Sequence, residues 1–255
     1  WRVADALVDH ALRTNPEIGI RTGTVNPVVG ECNDGYLNDI QGRHVTAAHV
    51  QQALATAAAG PVVEGAVGAG TGTTCYGWKG GIGTASRVTP AANGGFTLGA
   101  LVQTNFGRPE DLRVGGVLVE LTLRPPQPPA PERGSVMVVL ATNAPLEARQ
   151  LHRLCVRAGA GLARTGATIG HGSGDFVIAF STTRLIHHDL CGPGIVETAL
   201  ISDEAEVMEA LFPAVVEAVE EAVLNSLCAA EMVVGRDEHV RYALPTTEIA
   251  QWLAR

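Results

Sequence analysis

The chain has 255 residues, 46% of them hydrophobic, which suffices for one large domain or two small ones with a core that needs no covalent staples. Its net charge of −8, with the 18 Lys and Arg scattered, offers no basic patch to a phosphate backbone, and 4% aromatics are too few to stack on bases. No apolar run reaches the ~18–20 residues of a membrane-spanning helix, so neither a nucleic acid nor a membrane is an expected partner.

Residues 3–13 read as an amphipathic helix with Val3, Leu7 and Ala11 in one row. Thr46 opens a second helix through about Ala58, stopped by Gly60-Pro61. Residues 61–90 read as glycine-rich loop and short strand, and Phe96–Phe106 and Val114–Leu123 as strands. Five prolines within residues 124–133 exclude both helix and sheet there, so this stretch is expected to be an exposed, polyproline-like connector. It ends at Gly134-Ser135, where the strand Val-Met-Val-Val-Leu-Ala-Thr begins. Pro145 then starts a helix to about Arg164, and Phe176–Thr182 is a further strand. Asp203–Ala230 is the longest helix, with Asp203 and Glu206 in a capping-box pattern and Leu211, Val215, Val219, Val223 and Leu227 along one face. A short helix at 247–253 closes the chain. Strands alternating with long amphipathic helices predict sheets covered by helices.

The five cysteines (Cys32, Cys75, Cys155, Cys191, Cys228) are odd in number and contain no CxxC pair. That argues against a disulfide framework or a zinc ribbon and favours a reducing, cytoplasmic setting. His187-His188 has no carboxylate or Cys at ligand spacing, so no metal is expected. Gly68-Ala-Gly-Thr-Gly72 lacks the Gly-Lys-Ser/Thr of a phosphate loop and reads as a pocket-forming loop, in which Lys79 is structural or on the surface, with contact to substrate the lesser alternative. The acidic residues Glu217, Glu220 and Glu221 read as one solvated helix face.

Three features point to chemistry. A solvated connector runs into Gly134-Ser135 at the start of a buried strand. It can be an ordinary linker. It can also be a self-cleavage site, in which the serine hydroxyl attacks the uncrowded glycine carbonyl and water opens the resulting ester. The product is a serine whose free α-amine, titrating near pH 8, can act as its own base. The second feature is Gly170-His-Gly-Ser-Gly-Asp175, either a capped glycine turn or a hydroxyl–carboxylate pair, Ser173 and Asp175, able to orient a proton. The third is Asn105 at the end of an apolar strand, which is either a turn residue or an amide aimed at an oxyanion.

Six segments together resemble the L-aminopeptidase/D-amino-acid esterase–amidase and β-aminopeptidase family. They are PVVGECNDGYLNDIQGRHV (27–45), EGAVGAGTGTTCYGWKGGIGTASR (64–87), LVQTNFG (101–107), GSVMVVLATNAPL (134–146), GLARTGATIGHGSGDFVIAFST (161–182) and CAAEMVVGRDEHVRYALP (228–245), in the family's order. The resemblance implies a four-layer α/β/β/α sandwich with two stacked sheets flanked by helices. It implies one catalytic domain, 1–255, cut into fragments 1–134 and 135–255, and homo-oligomers, commonly tetramers. It implies Ser135 as nucleophile, Asn105 as oxyanion donor, Ser173 and Asp175 beside the nucleophile, and Glu31 pairing with the substrate's free amino group. Asn33 stands where a relative has a tyrosine near the oxyanion, and Asn143 where relatives often have Asp. The family also usually carries a further N-terminal segment of roughly a hundred residues, expected here to have been cleaved, disordered or left out of the numbering; were it truly missing, one sheet would lose strands and the fold would need a partner chain. The expected substrate is a small peptide or an amino-acid amide or ester, hydrolysed without a cofactor. Two other readings share the architecture: an acetyltransferase of the ornithine-acetyl-transfer type, against which Ser rather than Thr at position 135 argues, and a binding protein that has lost turnover.

Overall fold

The computed structural model describes residues 1–119, 124–125, 134–183 and 197–254, without the side chain of Trp252. The described helices are α1 (Arg2–Thr14), α2 (Ala47–Thr56), α3 (Ala148–Arg164), α4 (Glu206–Cys228) and α5 (Thr246–Leu253). The strands are β1 (Thr74–Cys75), β2 (Trp78–Lys79), β3 (Ile82–Val88), β4 (Thr97–Asn105), β5 (Arg113–Val114), β6 (Val117–Leu118), β7 (Ser135–Thr142), β8 (Gly174–Ser181), β9 (Val233–Val234) and β10 (Val240–Arg241). Most of the proline connector lies outside the described residues, as do Cys191 and His187-His188.

Contacts divide the chain into two units. Among the described residues, the smaller takes Trp1–Glu31 and Asp39–Val62, and the larger takes Cys32–Asn38 and everything from residue 63 on. In the smaller unit α1 packs on α2. Thr46 caps α2 through a capping box with His49, whose Nδ1 accepts the Thr46 N–H at 3.0 Å. This satisfies an amide that the helix start would leave unpaired.

The larger unit is built on a four-stranded sheet of order β3-β4-β7-β8. β3, β4 and β7 run antiparallel, while β8 joins β7 in parallel through the crossover helix α3. Side chains alternate faces along a strand. Leu98, Ala100 and Val102 of β4 and Val136, Val138 and Leu140 of β7 are therefore buried together. They meet Leu154, Ala158 and Leu162 of α3 and Leu211, Val215, Val219, Ala222 and Val223 of α4. Each such Val or Leu contributes about 1.5–3 kcal/mol of burial. The opposite face is also apolar: it carries Leu101, Met137, Val139 and Ile178, with Phe176 and Phe180 exposed beside them.

Two glycines set how closely the helices approach. A Cβ on Gly83 would lie 1.8 Å from the Ala222 carbonyl oxygen of α4, and one on Gly161 would lie 2.7 Å from that of Val216. Gly83→Ala therefore has to push α4 off β3. The expected cost is about 3 kcal/mol, read as a fall of roughly 6–12 °C in thermal unfolding midpoint.

Four expectations change. Val114–Leu123 is not one strand: β5 and β6 form a hairpin about Gly115-Gly116, whose φ of 59° and 80° suit the tight turn, and 120–123 lie outside the described residues. α4 begins at Glu206 behind Ala205, with no side-chain cap. The Asp203 carboxylate instead accepts from Gln150 at 3.0 Å and pairs with Arg149, tying the loop before α4 to α3. α3 starts at Ala148, capped by Glu147 with Gln150, rather than at Pro145. The acidic face of α4 is engaged: Arg87 meets Glu217 at 3.0 Å and Glu221 at 2.6 Å, and Arg164 meets Glu220 at 3.1 Å. Asn143 has a structural task, its Oδ1 accepting the Thr97 N–H at 2.7 Å at the start of β4. A carboxylate could accept that bond equally well.

Candidate active site

The antiparallel register of β4 and β7 places Asn105 directly opposite Ser135, and the parallel register of β7 and β8 places Gly174 on the other side of Ser135. Three strand ends thus converge on one residue. Asn105 is 8% exposed, and both ends of its amide are engaged. Nδ2 donates to Ser135 Oγ at 3.1 Å and to the Asn33 carbonyl at 2.9 Å, while Oδ1 accepts the Thr74 N–H at 3.2 Å. Because a main-chain N–H can only donate, the Thr74 contact fixes which end of the amide is oxygen.

On the other side, Gly174 N–H donates to the Gly134 carbonyl oxygen at 3.0 Å. Ser173 Oγ donates to Asp175 Oδ1 at 2.7 Å. The second carboxylate oxygen, Asp175 Oδ2, is buried and has no hydrogen-bond partner among the described residues. A Cβ on Gly134 would stand 3.1 Å from Phe106 Cβ and 3.4 Å from Ser173 Oγ, so a side chain there would crowd the carbonyl that Ser135 adjoins. A cavity of about 260 Å³ opens beside this cluster, walled by Phe106, Arg108, Gly134, His171, Ser173 and Asp175.

Of the residues singled out in the sequence, Ser135, Asn105, Ser173, Asp175 and Gly134 therefore lie together. Asn33 joins them through its main-chain carbonyl, since its side chain accepts the Gly35 N–H at 2.9 Å in a local turn. Glu31 belongs to the smaller unit and is exposed, so its pairing with a substrate amine rests on the resemblance. Among the described residues no group of three or more His, Cys, Asp and Glu could hold a metal, and no helix is long and apolar enough to cross a membrane.

Several contributors were not legible in sequence. Thr74 and Gly174 act through main-chain amides, which carry no side-chain signature. The turn that presents the Asn33 carbonyl is held from the far end of the chain. The Arg241 guanidinium lies 3.7 Å over the Tyr36 ring, His239 stacks on that ring at 4.4 Å, and Arg236 N–H donates to the Leu37 carbonyl at 2.7 Å. Lys79, read as structural or on the surface, is fully buried. A lysine inside a Gly- and Thr-rich run next to Trp78 was the available signal.

Comparison with known proteins identifies the family. The profile of peptidase family S58 matches residues 1–241. The chain is 38% identical, over 98% of its length, to beta-peptidyl aminopeptidase BapA of Sphingosinicella xenopeptidilytica, and 41% identical, over 88%, to that of Sphingosinicella microcystinivorans. It spans 64% and 59% of the length of those two relatives. Among solved structures it superposes on the PH0078 protein of Pyrococcus horikoshii OT3 with TM-score 0.90 at 48% identity, covering 100% of this chain and 69% of that one. A Burkholderia sp. beta-aminopeptidase gives TM-score 0.89 at 43% identity, covering 99% and 70%. The L-aminopeptidase D-Ala-esterase/amidase of Ochrobactrum anthropi, described as a new variant among the Ntn hydrolase fold, gives 0.88 at 39%, again covering 99% and 70%. The α/β sandwich expected from the sequence is thus the fold these proteins share, and the chain belongs to peptidase family S58.

Proposed function

We propose that the protein is a self-processing serine aminopeptidase/amidase. The observation that carries this reading is the Asn105 amide donating to Ser135 Oγ across a strand pair, with a polarised Gly134 carbonyl one residue upstream. In the first step Ser135 Oγ attacks the Gly134 carbonyl carbon. Negative charge develops on the oxygen that already accepts from Gly174 N–H, the peptide C–N bond breaks to leave an ester, and the hydroxyl proton passes to the departing Ser135 nitrogen. Water hydrolyses the ester, giving a Gly134 carboxylate and a free Ser135 α-amine. The cut also frees a wall residue of the neighbouring cavity, since Gly134 lines it.

Turnover then repeats the chemistry on a small peptide or an amino-acid amide or ester. Ser135 Oγ attacks the substrate carbonyl, and the α-amine or the Ser173–Asp175 pair takes the proton. Asn105 Nδ2 supports the oxyanion, and water releases the acyl group. Glu31 restricts substrates to those with a free amine by pairing with the ammonium. Asn33 contributes through its carbonyl. The names of the relatives favour β-amino acyl substrates. Homo-oligomers, a cytoplasmic setting and the 1–134/135–255 division are parts of the same proposal.

Denaturing electrophoresis followed by N-terminal sequencing tests it. The smaller fragment is expected to begin Ser-Val-Met-Val. Aminoacyl and β-aminoacyl p-nitroanilides are expected to be hydrolysed, and their N-acetylated forms not. A fragment beginning elsewhere, or transfer of acetyl from acetyl-ornithine in place of hydrolysis, would overturn the reading.

A further inference from the structure

Lys79 is 0% exposed, and the chemistry proposed for the site does not use it. Its Nζ donates to three carbonyls: Gly70 at 2.8 Å, Thr73 at 2.8 Å and Gly80 at 2.6 Å. An ammonium has three N–H donors, so the charged form is fully matched, whereas a neutral amine has two and would turn a lone pair toward one carbonyl. Its main chain is held as well: the Lys79 N–H donates to the Tyr242 carbonyl at 2.8 Å.

One of the three carbonyls has a direct link to the site. The Thr73 C=O and the Thr74 N–H belong to one planar peptide group, and fixing the oxygen fixes the direction of the N–H on the opposite side. That N–H is the donor to Asn105 Oδ1. The path is therefore short: Lys79 Nζ, the Thr73–Thr74 peptide, Asn105 Oδ1, and Asn105 Nδ2 against Ser135 Oγ. A cation on the carbonyl also polarises the peptide and strengthens its N–H as a donor. We propose that Lys79 is a positioning residue for Asn105, holding the amide toward the nucleophile through the Thr73–Thr74 peptide group. The catalytic part of this inference rests on the function proposed above.

Burial pulls the Lys79 pKa down to about 8, opposed by the charges of Cys75 and Asp34, the two titratable groups among the described residues that act on it. The clamp therefore loosens within an accessible pH range. The sign is distinctive. Loss of a proton from the Ser135 α-amine raises activity, whereas loss of one from Lys79 lowers it.

The test has a kinetic arm and a spectroscopic arm. Lys79→Met is expected to lower kcat by about 10- to 100-fold, with KM held within about twofold. In an Asn105→Ala background the same change should cost almost nothing further, because the path is already broken. Independent, multiplicative losses would mean a merely structural lysine and would overturn the proposal. The wild-type kcat should rise toward pH 8 as the Ser135 α-amine loses its proton and fall above it as Lys79 does; that alkaline fall should vanish in Asn105→Ala, and its persistence there would also overturn the proposal. The spectroscopic arm needs no turnover and no variant. The Thr74 amide resonance of the wild-type protein should titrate near pH 8, and a flat resonance across that range would overturn the proposal. A protein that neither cuts itself nor turns over would sink the functional reading alone, and the amide titration would still decide the coupling.

Discussion

Ser135→Ala is expected to leave one uncut chain on a denaturing gel and no measurable aminopeptidase turnover, with the fold intact. The two losses share one cause. Self-cleavage needs Oγ to attack the Gly134 carbonyl, and turnover needs the same oxygen next to a freed α-amine; alanine supplies neither. The structural cost of the change is small, because the hydroxyl takes one N–H of Asn105 at 3.1 Å. The same nitrogen also donates to the Asn33 carbonyl at 2.9 Å, so Asn105 stays anchored without the serine. Losing such a bond costs about 1 kcal/mol, or roughly 2–4 °C for a domain of this size. Melting near the wild-type temperature with no cut therefore assigns the loss to chemistry. Ser135→Cys, which keeps a nucleophile of similar reach, should retain the cut. An alanine variant that still yields a fragment beginning Ala-Val-Met-Val, or still hydrolyses substrate, would show that the nucleophile is elsewhere.

How much of the fold and site is legible in the sequence follows from what each signal is. β4, β7 and β8 announce themselves as apolar runs bounded by Gly, Pro or Asn, and α1 and α3 by helical spacing, because burial writes its period into side chains. β8 starts at Gly174, two residues before the Phe176 at which its apolar run begins, so Asp175 sits inside the strand. The polar pair lies where the apolar signal stops. The Asp203–Glu206 pattern misled for a different reason. Its carboxylate found Arg149 and Gln150 of another helix, and a tertiary partner outranked the local cap. The Val114–Leu123 run misled because Gly115-Gly116 favours a tight turn over an extended path. Ser135, Asn105, Ser173 and Asp175 stand out in motifs, but their assembly depends on strand register. The alternation of apolar residues limits each strand's register to positions that keep its buried face inward, but which strands pair, and therefore which residues end up opposite one another, is decided by long-range contacts. The main-chain donors of Thr74 and Gly174 have no sequence signal at all, since every residue but proline offers that group.

Asn105→Ala is expected to lower kcat by about 10²–10³-fold, equivalent to about 2.7–4 kcal/mol, with KM little changed. The reason is geometric: a donor already 3.1 Å from the nucleophile oxygen is close to where charge develops during attack. A competing explanation must be separated. Alanine also strips Thr74 N–H and the Asn33 carbonyl of their partner, leaving polar groups unpaired at a cost of about 1–3 kcal/mol, so the loss could come from a loosened loop. Asn105→Asp divides the two causes. Its carboxylate can still accept the Thr74 N–H, so that contact survives. It has no N–H to offer Ser135, and it brings negative charge toward a developing oxyanion. If oxyanion support is what Asn105 provides, the aspartate variant should be at least as slow as alanine. If the Thr74 contact is the whole effect, the aspartate variant should recover most of the lost rate, and Asn105 would be a scaffold for that contact with no part in stabilising the oxyanion.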